Sequence, residues 1–252
     1  MAKITQPFVQ ACLEMSDNEH AKITEFEKDL FGLSSIRLRC FINNICSKDN
    51  TNYLEIGTYK GATLVSSIFG NEKTKAVGVE HFLYDEREPK RWAPEGFIWD
   101  NMKSQLETNI SRYVDNDDGL VHGKITMVHQ DFTEVDWSKQ PKFDVCFFDV
   151  TPVNAALYDA FLTKVLPSML PESVLIFSNF SNVEHSEDLD KALLRHEDKL
   201  SIEWKEQRIS SALSDSTAYY SGIAVFGIKK KAIKVTPKPA PAPTANTQVK
   251  NG

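Results

Sequence analysis

Five short apolar runs, "NYLEIG", "KAVGVE", "KITMVHQ", "FDVCFFDV" and "SVLIFSN", recur along residues 52–179. Runs that stay apolar on both sides of the pleat belong to strands covered on both faces. Stretches with helical spacing lie between them, at about 62–70, 99–113 and 153–169, and a fourth at 184–198 follows the last run. Strands alternating with helices imply parallel pairing through right-handed crossovers, and hence a three-layer α/β sandwich. The chain then changes character. "LSIEWKEQRI" and "YYSGIAVFGIKK" have no helical pattern between them and are expected to pair as an antiparallel hairpin. The expected fold is a Rossmann-like, mostly parallel seven-stranded sheet with a C-terminal antiparallel hairpin, preceded by N-terminal helices.

The preceding helices are read from "SDNEHAKITEFEKDLF", where Ser16 and Glu19 have capping-box spacing and Ile23, Phe26 and Leu30 share a face, and from "SSIRLRCFINNICS". The expected organisation is a helical preface over 1–48, a ligand-binding domain over 49–229 and a tail over 230–252. The tail, "KKKAIKVTPKPAPAPTANTQVKNG" from Lys229 on, is rich in Lys, Pro and Ala and has no periodic apolar face, so it is expected to be disordered. It holds six of the 29 bases and none of the 35 acids, leaving the body with 23 bases against 35 acids, a balance of −12. Such a body does not favour nucleic-acid phosphates, and no nucleic-acid partner is expected. No apolar window is long enough to span a bilayer, and "MAKITQPFVQACLEMSDNEH" lacks the apolar core of a secretory signal. No membrane contact and a cytoplasmic location are therefore expected. Cys12, Cys40, Cys46 and Cys146 form no CxxC pair, which argues against both a zinc site and a disulfide framework.

Ligands of open α/β sheets bind outside the carboxyl ends of the strands, where strand order reverses. The turn after the first strand, in "YLEIGTYKGATLVSSIFG", lies there. Gly57 lets the backbone turn without a Cβ, and Gly61 lets the next helix approach closely. Thr58, Tyr59 and Lys60 between them present amides. "GTYKGA" is neither GxxxxGK[ST] nor GxGxxG, so it lacks the features that admit a P-loop phosphate or a pyrophosphate. Glu80, ending the second strand, is placed to accept from two ribose hydroxyls. A nucleoside without a pyrophosphate fits this pattern. Glu55 stands inside a buried strand, where a carboxylate is costly unless something satisfies it. The long segment over 81–100, with His81, Tyr84, Trp92, Phe97 and Trp99, follows a strand end and is expected to serve function.

Four motifs in order resemble the class I S-adenosylmethionine-dependent methyltransferases: "YLEIGTYKGA", "AVGVE", "MVHQDF" and "FDVCFFDV". The resemblance covers roughly residues 50–228. The helical preface, "SSIFG" and "WDNMKSQLETNI" are most similar to small-molecule O-methyltransferases of catechol and macrocin type. It implies S-adenosyl-L-methionine as cofactor. Glu55, Gly57 and Gly61 would border its methionine half, Thr58 and Tyr59 would offer amides, Glu80 would hold the ribose, and Asp131 with Phe132 would flank the adenine. Asp131 also suits a plain cap or turn residue, and Phe132 ordinary core.

The acceptor half departs from the family. Metal-dependent members carry an acid after strand four and an Asp-Asp or Asp-Asn pair after strand five. Here Asp149 matches the first, but "LIFSNF" supplies Ser178 and Asn179, so no metal is expected. "DVTPVNAALY" lacks the histidine of the sugar-modifying members, and the lysine base of the catechol type is absent. Asp149 and His81 are the candidate catalytic residues, with Asn179 and Tyr84 nearby in the pattern. The expected activity is methylation of an oxygen on a small-molecule or sugar acceptor, and a homo-oligomer is compatible with it. The alternative is a non-catalytic cofactor-binding or scaffold protein of the same fold. A nicotinamide-dependent oxidoreductase is disfavoured by the missing GxGxxG.

Overall fold

The computed structural model describes residues 3–23, 30, 32–82, 102–114, 122–150, 153–209, 219 and 221–231. The aromatic segment holding Tyr84, Trp92, Phe97 and Trp99, and the tail from 232 onward, lie outside the described residues.

Seven strands form one sheet: β1 Asn52–Ile56, β2 Lys75–Val79, β3 Lys124–Val128, β4 Phe143–Phe148, β5 Met169–Ser178, β6 Leu200–Arg208 and β7 Ile223–Lys230. Their order is β3-β2-β1-β4-β5-β7-β6. The first five are parallel, and β7 runs antiparallel to both β5 and β6, giving the expected terminal hairpin. From β1 the chain steps outward to β2 and β3, then crosses back to place β4 on the other side of β1. The crevice of such a sheet opens at that reversal.

Six helices cover the sheet: α1 Gln6–Asp17, α2 Ile36–Ile45, α3 Ala62–Ile68, α4 Met102–Val114, α5 Ala155–Lys164 and α6 Val183–Arg195, counted among the described residues. Each central strand sends alternate side chains to two apolar clusters, as the two-residue period of a strand requires. Tyr53, Val145, Phe147 and Ile176 pack with α1, α2 and α3 on one face. Leu54, Cys146, Phe148 and Phe177 pack with α5 and α6 on the other. The helices before β1 are therefore part of the main core. β3, at one edge of the sheet, has no fully buried residue.

One expected element differs. The helix expected over "SDNEHAKITEFEKDLF" does not open at Ser16, which lies in the last turn of α1, a helix that begins ten residues earlier with Pro7 in its first turn and Val9, Cys12, Leu13 and Ser16 along its buried side; residues 24–29 and 31 of the expected helix lie outside the described residues. Proline suits a first turn, where its missing N–H is not needed. Ser16 Oγ folds back onto the Cys12 carbonyl at 2.5 Å, and Glu19 has φ +57°, so no capping box forms. α2 is found where expected, with Ser35 Oγ accepting the Leu38 amide at 3.1 Å as its N-cap.

Candidate ligand site at the carboxyl ends of the strands

Strand register sets the geometry. Ile56 pairs with Val79 on one side and with Phe148 on the other, and Phe148 pairs with Phe177. The residues one step beyond, Gly57, Glu80, Asp149 and Ser178, consequently stand in one row across the crevice. The Gly57 amide donates to the Val79 carbonyl at 3.0 Å, and the Asp149 amide to the Ile56 carbonyl at 2.9 Å. Gly57 has φ +86°, and a Cβ there would lie 2.2 Å from the carbonyl oxygen of Asp149. Its neighbour in space is thus the turn after β4. Gly61, at φ +80°, is the N-cap of α3, and a Cβ on it would meet the Leu106 side chain of α4 at 2.4 Å.

Between the two glycines, Tyr59 sits at φ +48° and turns its amide onto Glu80 Oε2 at 2.9 Å. Oε1 of the same carboxylate accepts the amides of His81 at 3.0 Å and Phe82 at 3.3 Å. Glu80 is 4% exposed. A carboxylate offers about four acceptor positions, so one on Oε2 is left for a ligand hydroxyl. Thr58 is 3% exposed, and its Oγ1 is buried without a hydrogen-bond partner. A buried hydroxyl left unpaired costs free energy unless a ligand or water completes it.

Glu55 is fully buried in β1, with Oε2 accepting from Tyr53 Oη at 2.6 Å and Oε1 from Thr63 Oγ1 at 2.8 Å. Burial pushes its carboxyl up to about 8, against the pull of these two bonds, with Asp149 and Glu80 adding repulsion. Burial likewise raises Asp149 to about 6, opposed by Ser178 and reinforced by Glu80. Three carboxyl groups from three adjacent strands therefore lie close enough to repel one another, and the crevice disfavours anions.

Asp149 is partly exposed and is held through a chain of hydrogen bonds. Ser178 Oγ donates to Asp149 Oδ1, Asn179 Nδ2 donates to Ser178 Oγ at 3.0 Å, and Ser221 Oγ donates to Asn179 Oδ1 at 2.6 Å. Ser221 belongs to no sequence motif and was missed by reading the chain. Its role depends on the pairing of β5 with β7, which brings Ser178 opposite Ile223.

The remaining candidates fall differently. Asp131 Oδ1 accepts from the Thr133 amide at 2.8 Å and its hydroxyl at 2.7 Å, an Asx turn after β3. Phe132 is 5% exposed and packs edge-on against Phe148, with ring centroids 5.6 Å apart, inside the α5–α6 core. His81 is half-buried just after Glu80. Among the described residues, no group of three or more His, Cys, Asp or Glu side chains is placed to hold a metal ion, and no helix is long and apolar enough to cross a membrane.

No protein-family model and no curated protein matches the chain. It is similar to several solved structures. SAH-bound methyltransferase PaMTH1 of Podospora anserina is 12% identical over 92% of this chain and 90% of that one, with a TM-score of 0.48. Magnesium protoporphyrin IX methyltransferase of Synechocystis PCC 6803, with bound SAM, is 11% identical over 91% and 87%, with a TM-score of 0.48. Precorrin-6y C5,15-methyltransferase of Geobacter metallireducens is 12% identical over 81% and 92%, with a TM-score of 0.45. Likeness of this order carries no chemistry across, and the site has to be read from the chain's own residues.

Proposed function

We propose that this chain is an S-adenosylmethionine-dependent methyltransferase that methylates an oxygen of a small molecule or sugar without a bound metal ion. The observation that carries the reading is the pair of carboxyls, Glu80 and Asp149, standing level just beyond β2 and β4 on either side of the Gly57 turn. Carboxylates at these two positions repel a pyrophosphate and attract a cation. Glu80 keeps an acceptor position beside the amides of Tyr59, His81 and Phe82, as a ribose requires. Thr58 Oγ1 is an orphaned donor in the same turn. A nucleoside carrying positive charge and no phosphate fits this donor and acceptor set.

When bound, S-adenosylmethionine supplies a methyl group on a positively charged sulfur, and the carbon–sulfur pair stays on sulfur as an acceptor oxygen bonds the carbon. What the protein adds is position and a place for the acceptor's proton. Asp149, raised to about 6, is matched to receiving that proton near neutral pH. His81, next to Glu80, is the second candidate. The donor set also supports metal independence: Asp149 Oδ1 is engaged by Ser178, and the Asn179 carbonyl oxygen by Ser221.

A methyl-labelled cofactor incubated with protein and fractionated cell extract tests the reading. Label is expected in the small-molecule fraction, stable to protease and nuclease. Label confined to protein or nucleic acid contradicts the acceptor class. The second reading, a non-catalytic cofactor-binding or scaffold protein, is favoured by Ser178 and Asn179 standing where acids would hold a metal. It leads to cofactor binding without label transfer.

A further inference from the structure

Glu55 is sealed inside β1 with no positive charge beside it among the described residues. Its partners are the hydroxyls of Tyr53 and Thr63, at 2.6 and 2.8 Å. A hydroxyl donates or accepts, so these partners serve a carboxylate and a carboxylic acid alike. Charge decides between the two forms. The titratable groups that act on Glu55 are Tyr53 on β1, Cys46 after α2, Cys146 on β4, and the carboxyls of Glu80 and Asp149 beyond β2 and β4. α3 contributes Thr63 and no ionisable side chain. Burial pushes the phenol and both thiols up, so they stay neutral, and the remaining two groups are acids. Among the described residues, no Lys, Arg or His side chain forms an ion pair with Glu55, Glu80 or Asp149. A carboxyl in such a place keeps its proton rather than bury an unbalanced charge. Glu55 stands two residues before Gly57 and Thr63 two after Gly61, so the bond between them closes the base of the glycine turn. A ligand held on that turn brings the first positive charge within reach of Glu55.

We propose that Glu55 is the residue that distinguishes the sulfonium of S-adenosylmethionine from the neutral sulfur of S-adenosylhomocysteine, releasing its proton when the cation docks and taking one back once the methyl group has left. This role rests on the methyltransferase reading and adds a specificity residue to it. On binding, the O–H bond of the carboxyl breaks with its electron pair left on oxygen, and the proton goes to solvent. After transfer the sulfur is a thioether, the reason for the negative charge is gone, and a proton from solvent restores the acid. The charged ligand is thus held by an ionised Glu55 and the spent one is not. Asp149, at about 6, is already ionised above pH 7 and takes no part in this exchange. Glu55, at about 8, is still mostly protonated at pH 7.5.

The test needs no acceptor. Calorimetry of the full chain at pH 7.5 in HEPES and in Tris reads proton exchange as the difference in binding heat between the buffers. A unit charge on the order of 7 Å away, at an effective dielectric of about 20, lowers the Glu55 midpoint by about one to two pH units. S-adenosylmethionine should therefore release about 0.5–0.7 proton more from the wild type than from Glu55→Gln, a comparison in which ionisation of the ligand's own amine cancels. With S-adenosylhomocysteine the two proteins should differ by less than about 0.2 proton. Glutamine is neutral and keeps a donor and an acceptor for the two hydroxyls. Equal release of protons by S-adenosylmethionine from both proteins overturns the proposal. If Glu55→Gln does not fold, carboxyl carbon NMR of glutamate-labelled wild type decides: one glutamate should titrate near 8 in the free protein and at least about one unit lower with S-adenosylmethionine, and no glutamate midpoint above 7 in the free protein overturns the proposal. The absence of any binding heat removes the methyltransferase reading and the proposal together, whereas binding without proton exchange removes only the proposal.

Discussion

The main-chain amide of Tyr59 donates to Glu80 Oε2 at 2.9 Å, so the turn after β1 and the end of β2 form one unit. Glu80→Ala removes the acceptor of three amides at once. Each buried amide left unpaired costs about 1–3 kcal/mol, so both melting temperature and affinity for S-adenosylhomocysteine are expected to fall, affinity by at least about tenfold. Calorimetry on folded Glu80→Ala protein that returns wild-type affinity would remove Glu80 from the site.

The two glycines of the turn are expected to differ in their tolerance of a methyl group. Gly57→Ala combines φ +86° with a main-chain obstacle, the Asp149 carbonyl, and should lose more than about 2 kcal/mol in chemical denaturation. Gly61→Ala carries similar strain at φ +80°, but meets the tip of Leu106, a side chain that can move, so it should cost less. The reverse ranking would mean that the approach of the β1 and β4 turns is not what requires glycine at 57.

Glu55 gives a signed pH dependence. Its carboxyl is raised from 4.5 to about 8 in the fold, so the folded state holds a proton that the unfolded chain releases. Its contribution to stability is fully present below about 4.5 and is lost as pH rises toward 8, with an amplitude of several kcal/mol. Glu55→Gln, neutral at every pH, should flatten the stability profile between pH 5 and 9 and melt above the wild type at pH 9. Equal slopes for the two proteins would show that Glu55 is ionised in the fold.

Magnesium offers a direct check on the acceptor side. A magnesium ion needs near-octahedral oxygen ligands, commonly including one or two carboxylates. Here Asp149 is the only carboxylate in the Asp149, Ser178, Asn179 set, and the Asn179 carbonyl oxygen already accepts from Ser221. Millimolar Mg²⁺ should leave the Asp149 NMR signal and the melting temperature unchanged, and EDTA should not abolish methyl transfer. Transfer that stops in EDTA and returns with Mg²⁺ would contradict this.

The parts of this molecule that were legible in the sequence are those set by local pattern. Runs such as "FDVCFFDV" are largely apolar because β4 is buried on both faces, and the switch to a terminal hairpin follows from the lack of a helical sequence pattern between the last two runs. α1 was not read from the sequence, because Ser16 and Glu19 imitate a helix start while the helix that begins at Gln6 depends on burying Val9, Cys12 and Leu13 against distant strands. Gly57 was identified for its freedom of φ, but its close neighbour, the Asp149 carbonyl, lies far along the chain and became visible only through the register of β1 and β4. Ser221 was invisible for the same reason, since nothing in "YYSGIAV" marks a serine that reaches Asn179.

The central claim is that the crevice beside β1 holds a nucleoside with a cationic sulfur and no phosphate. Isothermal calorimetry of the full chain against S-adenosylmethionine, S-adenosylhomocysteine and NAD at pH 7.5 tests it most directly. The two sulfur nucleosides should bind with dissociation constants on the order of micromolar, and NAD should show no heat at millimolar concentration. Tight NAD binding, or a folded protein that binds neither sulfur nucleoside, would contradict the account.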